Sequence, residues 1–173
     1  VTTIYQDALS STLLTSVDIP NSVTVIPPYA FAFSPLTSVN IPSSIRSIGS
    51  GAFYGTNLSS ITIPSSVTTF GYNPFEGNNN VQTIVINNPL CLNPGVLACG
   101  VSEVTSITFN AAGTIVDNAC NGWPKLNSVT IGPAITSIGN SSFRELLKLT
   151  SIVIPASITS IGSYAFYSSP ILS

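Results

Sequence analysis

Apolar and polar residues alternate in short phrases along almost the whole chain. A typical phrase has the form L-x-x-V/I-x-I, as in the segment LTSVNI at 36–41. A period of two places the apolar side chains on one face of a strand and the polar side chains on the other. The phrases therefore predict short β-strands, each with one buried face.

The phrase recurs every 22 or 23 residues. A second apolar pair, a glycine and a small residue followed by Phe come after most copies, as in Ile45, Ile48, Gly49 and Ala52-Phe53. A fixed period of this length is typical of a solenoid, in which each repeat buries its apolar side against its neighbours. We predict a single solenoid domain over 1–173, with about seven repeats and a partial repeat at each end. The repeats open at Leu14, Leu36, Leu58, Val81, Val104, Leu126 and Leu149.

The Ala-Phe segment of each repeat is too short for a stable helix. It predicts a helical or 3₁₀ turn whose Phe ring enters the core. Glycines at positions 49, 71, 139 and 162 come shortly before these segments, and we expect the chain to turn there. The predicted fold class is a repeat solenoid, mostly β with short helical or 3₁₀ turns, whose strands pair in parallel about 4.8 Å apart.

The full pattern L-x-x-V/I-x-I-P-x-x-V/I-x-x-I-G-x-x-A-F resembles BspA-like leucine-rich repeats, which occur in many secreted and surface proteins of microbes. The match is weaker for the repeats that open at Val81 and Val104 than for the others. The resemblance implies a curved, right-handed solenoid with a parallel β-sheet on its concave side. It also implies an extracellular or cell-surface protein with a role in adhesion or binding.

Charged residues make up only 6% of the chain, and the net charge is −2. Four Lys and Arg residues are too few to neutralise a nucleic-acid backbone, so no nucleic-acid partner is expected. No apolar run approaches the ~20 residues that cross a bilayer, so no membrane span is expected. The chain begins at Val1 without a signal-peptide pattern, which indicates a processed product or part of a longer chain.

The chain offers little for catalysis. It has no His, and its six acidic residues are scattered among different repeats, so neither the commonest general base nor a carboxylate pair is predicted. Its three Cys residues contain no C-x-x-C pair, which argues against a metal site. We expect no enzyme activity, no catalytic residues, no metal and no cofactor.

The repeat pattern weakens in the segment 87–103. Cys99 and Cys120 occupy the places where other repeats have Phe, and their repeats are adjacent. A separation of one repeat is within the range of a disulfide bond, so these two residues are the preferred pair. A bond from Cys91 to either of them is an alternative, and buried free thiols that fill the space of the missing rings are an equal alternative.

The sequons at Asn57 and Asn140 are possible N-glycosylation sites. Both fall between predicted strands, where a sugar would project outwards. Chance matches to this motif are common in a chain rich in Ser, Thr and Asn. Sugars would nevertheless help to keep a surface with so few charges in solution.

The outward positions of the first strands form a candidate binding face. Stacking would align them into two columns of small, mostly hydroxyl side chains. Such a face suits a protein or glycan ligand, or ice, although Ser and Thr are also simply tolerated on a solvated sheet. The residues of this face are Ser38, Asn40, Ser60, Thr62, Thr83, Ser106, Thr108, Ser128 and Thr130.

The chain begins and stops in the middle of a repeat, and neither end carries a charged cap. Uncovered apolar edges favour stacking of one molecule on another. We therefore predict a non-enzymatic extracellular scaffold that associates head-to-tail into a filament or surface assembly through Val1, Ile4, Ile171 and Leu172. The alternatives are an adhesin that binds a host or matrix protein through the concave sheet, and an ice- or glycan-binding Ser/Thr ladder.

Overall fold

The computed structural model describes residues 1–89 and 99–170. Short β-strands and turns make up these ranges, and no α-helix occurs within them. Strands of equivalent position pair in parallel, which confirms the predicted solenoid. The strands are β1 (Ser16–Asp18), β2 (Val25–Ile26), β3 (Ser38–Asn40), β4 (Ser47–Ile48), β5 (Ser60–Ile63), β6 (Thr69–Phe70), β7 (Thr83–Ile86), β8 (Ser106–Phe109), β9 (Gly113–Ile115), β10 (Ser128–Ile131), β11 (Ile135–Ile138) and β12 (Ser160–Ile161).

The first strands of the repeats form two parallel sheets. Strands β5, β7, β8 and β10 make a four-stranded sheet, whereas β1 pairs with β3. The register aligns equivalent positions, so that Ile61, Ile84, Ile107 and Val129 are Cα partners in one column. All four side chains are buried, and the residues between them face outwards. Each of these repeats therefore adds one rung, as the alternating pattern predicts.

The second strands form two three-stranded sheets, β2–β4–β6 and β9–β11–β12. The register aligns Ile115 with Ile138 and Ile138 with Ile161 in the latter sheet. The apolar pattern does not predict β9, because Gly113 takes the position that Ile135 holds in the next repeat. Backbone pairing with β11 forms this strand in spite of the missing side chain.

The Ala-Phe segments form turns instead of short helices. Two residues four positions apart have left-handed backbone angles in each described turn, for example Gly51 and Gly55 with φ of 56° and 62°. Every second N–H of the turn then points to the next repeat, and the Phe31 N–H donates to the Ala52 carbonyl oxygen at 2.9 Å. A helix would satisfy these groups within its own segment, so hydrogen bonding between repeats favours the turn.

The core is a stack of apolar side chains along the solenoid. The residues that open the repeats are fully buried from Leu36 to Leu149, while Leu14 is partly buried. The rings of Phe31, Phe53 and Phe75 are stacked, with successive centroids 5.3 and 5.1 Å apart. Aromatic pairs of this kind contribute about 0.5–1.5 kcal/mol beyond the burial of their surface. The predicted entry of the Phe rings into the core is confirmed.

Glycines 49, 71, 139 and 162 serve contact between repeats, not a special backbone angle. None of them has positive φ. A Cβ atom at Gly71 would lie 2.2 Å from the backbone nitrogen of Ser50, and one at Gly139 would lie 2.6 Å from that of Asp117. The backbone of the preceding repeat passes directly over these residues. The chain turns directly after these glycines, as expected, and close approach between repeats is the reason for glycine there.

The repeat that opens at Leu149 departs from the others. Its segment 151–154 has the alternating pattern of a strand but does not pair with β10. Ile154 is 39% exposed and Ile161 is 50% exposed, whereas the equivalent Ile131 and Ile138 are buried. Ile161 holds the inward register position of Ile138, and it is exposed because no further described rung covers it.

Candidate functional site

The outward residues of the first strands, here called the strand face, form the predicted columns. Seven of the nine predicted residues lie on the four-stranded sheet, and Ser38 and Asn40 lie on β3 opposite Ser16 and Asp18. The columns are thus real, but one of them is interrupted by an apolar residue. The Cα partners are Ser60, Thr83, Ser106 and Ser128 in one column, and Thr62, Val85, Thr108 and Thr130 in the other.

The strand face is not continuous. Strand β3 does not pair with β5, and the segment 151–154 does not pair with β10. The second break opens a groove of about 370 Å³, lined by residues 127–131 and 151–153. The face therefore consists of separate patches, of which the four-stranded sheet is the most regular.

Many of the hydroxyl groups have a structural role that the sequence pattern did not reveal. Just before the first strands, the hydroxyl of Thr37 donates to the Thr15 carbonyl oxygen at 3.2 Å, and that of Ser59 donates to the Thr37 carbonyl oxygen at 3.3 Å. The hydroxyl of Thr159 makes the same contact to Thr136, at 3.1 Å, before a second strand. Each hydroxyl ties its repeat to the one before it.

A buried polar ladder follows the turns. Ser34, Thr56 and Asn78 each stand three residues after a core Phe, and each is almost completely buried. The hydroxyl of Thr56 donates to the Phe53 carbonyl oxygen at 3.2 Å. The ladder satisfies backbone groups that the end of a turn leaves without a partner, since buried polar groups need hydrogen bonds. The recurrence of a polar residue three positions after Phe in successive repeats would have predicted this ladder.

The described turns form a second face, here called the turn face. It comprises residues 5–11, 27–33, 49–55, 71–77, 116–122, 139–145 and 162–168. All six tyrosines of the chain lie on it. The alternating pattern of the strands did not predict this face. The tyrosines all fall in the same part of the repeat, after the second strand, and this position would have indicated a shared face.

Cys99 and Cys120 are both buried and are free thiols in this structure. Burial raises the pKa of the Cys99 thiol to about 11 and raises that of Cys120 further. Both thiols are therefore protonated and unreactive at neutral pH. The disulfide between them stays a prediction, and Cys91 lies outside the described residues.

Asn57 and Asn140 are both exposed, as a glycosylation site requires. The amide of Asn140 is already engaged, because its nitrogen donates to an Asp117 carboxylate oxygen at 3.0 Å and its oxygen accepts from the Ser163 N–H at 2.8 Å. Hydrogen bonds from the side chain and the backbone N–H of Asn140 lower the pKa of the Asp117 carboxyl. Within the described part of the chain, the Asn57 side chain has no such bridging role.

The acidic residues do not form a pair that would act on a substrate. Four of the six, Asp7, Glu76, Asp117 and Glu145, lie on the turn face in four different repeats. Glu103 is bound to Lys125, with an O–N distance of 2.7 Å. Within the described ranges, no cluster of three His, Cys, Asp or Glu side chains could hold a metal ion. The same ranges contain no helix that could cross a membrane.

Of the residues predicted for end-to-end contact, Val1 is exposed and Ile4 is partly buried. Ile171 and Leu172 lie outside the described residues. The exposed apolar side chains of the last described repeat are instead Val153, Ile154 and Ile161.

Comparison with known families gives a match over almost the entire chain. The pattern of the BspA type leucine-rich repeat region matches residues 2–114 and 113–173, with six copies of the repeat. The chain therefore belongs to the BspA-type leucine-rich repeat family. No curated protein matches it.

Solved structures of other leucine-rich repeat proteins share the fold. A protein from Eubacterium ventriosum is 28% identical with a TM-score of 0.70, and the match covers 98% of this chain and 46% of that one. A protein from Bacteroides ovatus is 24% identical with a TM-score of 0.57, and the match covers 94% of this chain and 42% of that one. A protein from T. pallidum is 20% identical with a TM-score of 0.56, and the match covers 83% of this chain and 69% of that one. The chain spans less than half the length of the first two proteins.

Proposed function

We propose that the chain is a non-enzymatic scaffold, secreted or held at the cell surface, that acts by contact between its repeats and other molecules. Its membership of a leucine-rich repeat family supports this proposal, because such solenoids present extended faces for binding. The acidic residues, distributed over separate repeats, support it as well. The finer part of the proposal is that copies of the chain associate head-to-tail.

Exposure of Ile161 is the observation that carries the self-association. Ile161 is 50% exposed, whereas its register partner Ile138 is 2% exposed and Ile115 is fully buried. A further rung stacked on the last described repeat would cover Ile161 and Ile154. If the first repeat of a second copy supplies that rung, the contact is heterologous and extends into a filament.

Electron microscopy and sedimentation of the native protein test this proposal. We expect rods without any added ligand, and we expect Ile161→Lys to disperse them, because a buried lysine would lack a partner. Thr69→Lys is the matched control, since Thr69 is exposed on β6 in a central repeat, away from the proposed contact. A native protein that sediments as a monomer at its highest soluble concentration would contradict self-association.

Binding of a host or matrix protein through the strand face is the second candidate. The in-register columns of the four-stranded sheet favour it, because they give a flat, uncharged surface. Saturable binding to immobilised matrix proteins should be lost on Thr62→Lys or Thr108→Lys. It should be kept on Val25→Lys, which alters a different sheet.

An ice- or glycan-binding role for the same Ser/Thr columns has less support. Val85 interrupts one column, and Asp18 and Asn40 replace hydroxyl residues on the smaller sheet. Ice binding would require thermal hysteresis that Thr62→Lys abolishes. We expect no hysteresis.

A further inference from the structure

The turn face gathers the exposed aromatic side chains. All six tyrosines lie there, and Phe33 joins them with 59% exposure. Tyr54 is partly buried, and the other five tyrosines are exposed. The strand face carries hydroxyl side chains instead. Exposed aromatic groups collected on one face are typical of an interaction site.

Three of these aromatic residues lie in two adjacent turns and are here called the aromatic platform: Tyr29, Phe33 and Tyr54. Phe33 and Tyr54 pack edge to face, with centroids 5.1 Å apart and 67° between the ring planes. Tyr29 lies across Gly51, where a Cβ atom would stand 2.5 Å from its ring. Phe33 lies across Gly55, where the corresponding distance is 3.3 Å. The glycines of one turn thus make room for the rings of the turn before it.

The backbone at Tyr29 and Phe33 has the left-handed angles that recur at these two positions in every described turn. Tyr29 and Phe33 have φ of 52° and 56°, a left-handed conformation that bulky residues rarely adopt. Gly51 and Gly55 hold these positions in the next turn, and glycine adopts them without a steric penalty. Neither ring enters the core, and each packs instead on the surface of the next turn, where part of it stays exposed.

The rim of the aromatic platform is acidic and rich in hydrogen-bonding groups. Asn73, two repeats beyond Tyr29, donates from its side-chain amide to the Glu76 carboxylate at 2.7 Å. Asp7 lies at the equivalent place in the repeat before Tyr29. Arg144 is the only cation within the ranges that define the turn face, and Glu145 binds it at 2.7 Å at the far end of the face. This charge pattern disfavours an anionic ligand.

We infer that the aromatic platform binds a neutral glycan. One face of a hexopyranose ring presents C–H groups that pack on an aromatic ring, and its hydroxyls form hydrogen bonds at the ring edge. Tyr29 and Phe33 supply the rings. Tyr54, Asn73 and Glu76 supply a phenol, an amide and a carboxylate. The site is separate from the strand face, and it does not depend on the self-association proposed above.

Isothermal titration calorimetry with soluble oligosaccharides tests this inference. The probes are cellohexaose, laminarihexaose and mannohexaose, with a heparin octasaccharide as the anionic comparison. We expect at least one neutral probe to bind, and Tyr29→Ala or Phe33→Ala to weaken it by about tenfold or more. Tyr167→Ala is the matched control, because Tyr167 is exposed on the same face at its other end, and it should leave the affinity unchanged.

Phe33→Trp guards against a loss that merely reflects misfolding, since a larger ring should keep or strengthen binding while alanine removes it. The inference is overturned if none of the neutral probes binds at about 5 mM, where even weak affinity is visible. It is equally overturned if only heparin binds, or if Tyr167→Ala weakens binding as much as Phe33→Ala. Retention of glycan binding by Ile161→Lys would separate this site from the proposed end-to-end contact.

Discussion

The side chain of Asn78 donates a hydrogen bond of 2.7 Å to the backbone carbonyl oxygen of Phe53 in the preceding repeat. The same nitrogen donates to the Phe75 carbonyl oxygen at 2.9 Å, and the amide oxygen accepts from the Leu58 N–H at 3.1 Å. Asn78 is fully buried. One side chain thus satisfies three backbone groups in three neighbouring stretches of the chain.

We predict that Asn78→Leu destabilises the protein by about 3–5 kcal/mol, since it leaves several buried backbone groups without partners. Leucine is similar in shape to asparagine, so the loss would reflect hydrogen bonding and not a cavity. Denaturation by urea measures the free energy of unfolding. Asn80→Leu is the matched control, because Asn80 is exposed two residues away. Equal stability of the two variants would refute the role given to Asn78.

Gly71 is predicted to tolerate no side chain. Alanine there would place a Cβ atom 2.2 Å from the Ser50 backbone nitrogen, so two repeats would have to separate. We expect Gly71→Ala to cost about 2–4 kcal/mol or more, in the range of severe overpacking. Thermal unfolding followed by circular dichroism would show the loss.

Gly122→Ala provides the comparison for Gly71→Ala. Gly122 has φ of 70°, and a Cβ atom added there would meet nothing within 4 Å among the described residues, so only the backbone angle opposes alanine. The expected loss is about 1–2 kcal/mol, the cost of a left-handed conformation for a residue with a Cβ atom. If Gly122→Ala proved more damaging than Gly71→Ala, close contact between repeats would not be the reason for glycine at position 71.

The repeat architecture was predictable because its cause is local and periodic. Alternation within LTSVNI sets the buried face of each strand, and recurrence every 22 or 23 residues sets the stacking. The aromatic platform was not predictable in this way. Its surface depends on Phe33 in one repeat lying across Gly55 in the next, and such a relation appears only when the repeats are placed in register.

The same limit applies to the strand face. The pattern aligned its columns correctly, but it could not show that β3 and β5 fail to pair. Segment 151–154 has as good a strand sequence as β10, and yet it lies apart from it. Pairing depends on how well whole repeats fit together, whereas alternation reports only which face each side chain prefers.

Asp117 should show a depressed pKa that depends on Asn140. The Asn140 amide and backbone N–H both donate to this carboxylate, which favours the charged form. Its stabilising contribution is therefore present above the unfolded carboxyl pKa of about 3.9 and is lost as the pH falls through the lower folded value. A carbon-13 NMR titration should show the pKa rise in Asn140→Ala. An unchanged pKa in that variant would contradict the assignment.

The buried thiols should make the protein sensitive to alkaline pH under reducing conditions. Burial raises the pKa of Cys99 to about 11, whereas an unfolded thiol titrates near 8.5. The folded protein therefore keeps its thiol protons to a higher pH than the unfolded chain does. The thiol contribution to the free energy of unfolding is constant below about pH 8.5 and falls as the pH rises from there towards about 11. For each thiol the slope should approach 1.4 kcal/mol per pH unit, roughly one proton released on unfolding. Urea denaturation between pH 8 and about 10.5 with a reductant present measures this slope.

The double variant Cys99→Ala/Cys120→Ala should flatten the alkaline slope relative to the parent chain, because other groups titrate equally in both. Thiol counting in denaturant without reductant then tests the predicted disulfide. If Cys99 and Cys120 pair, the oxidised chain should lose two reactive thiols, and its alkaline slope should match that of the double variant. Identical slopes for the reduced parent and the double variant would show that the two thiols are not the buried, proton-retaining groups described above.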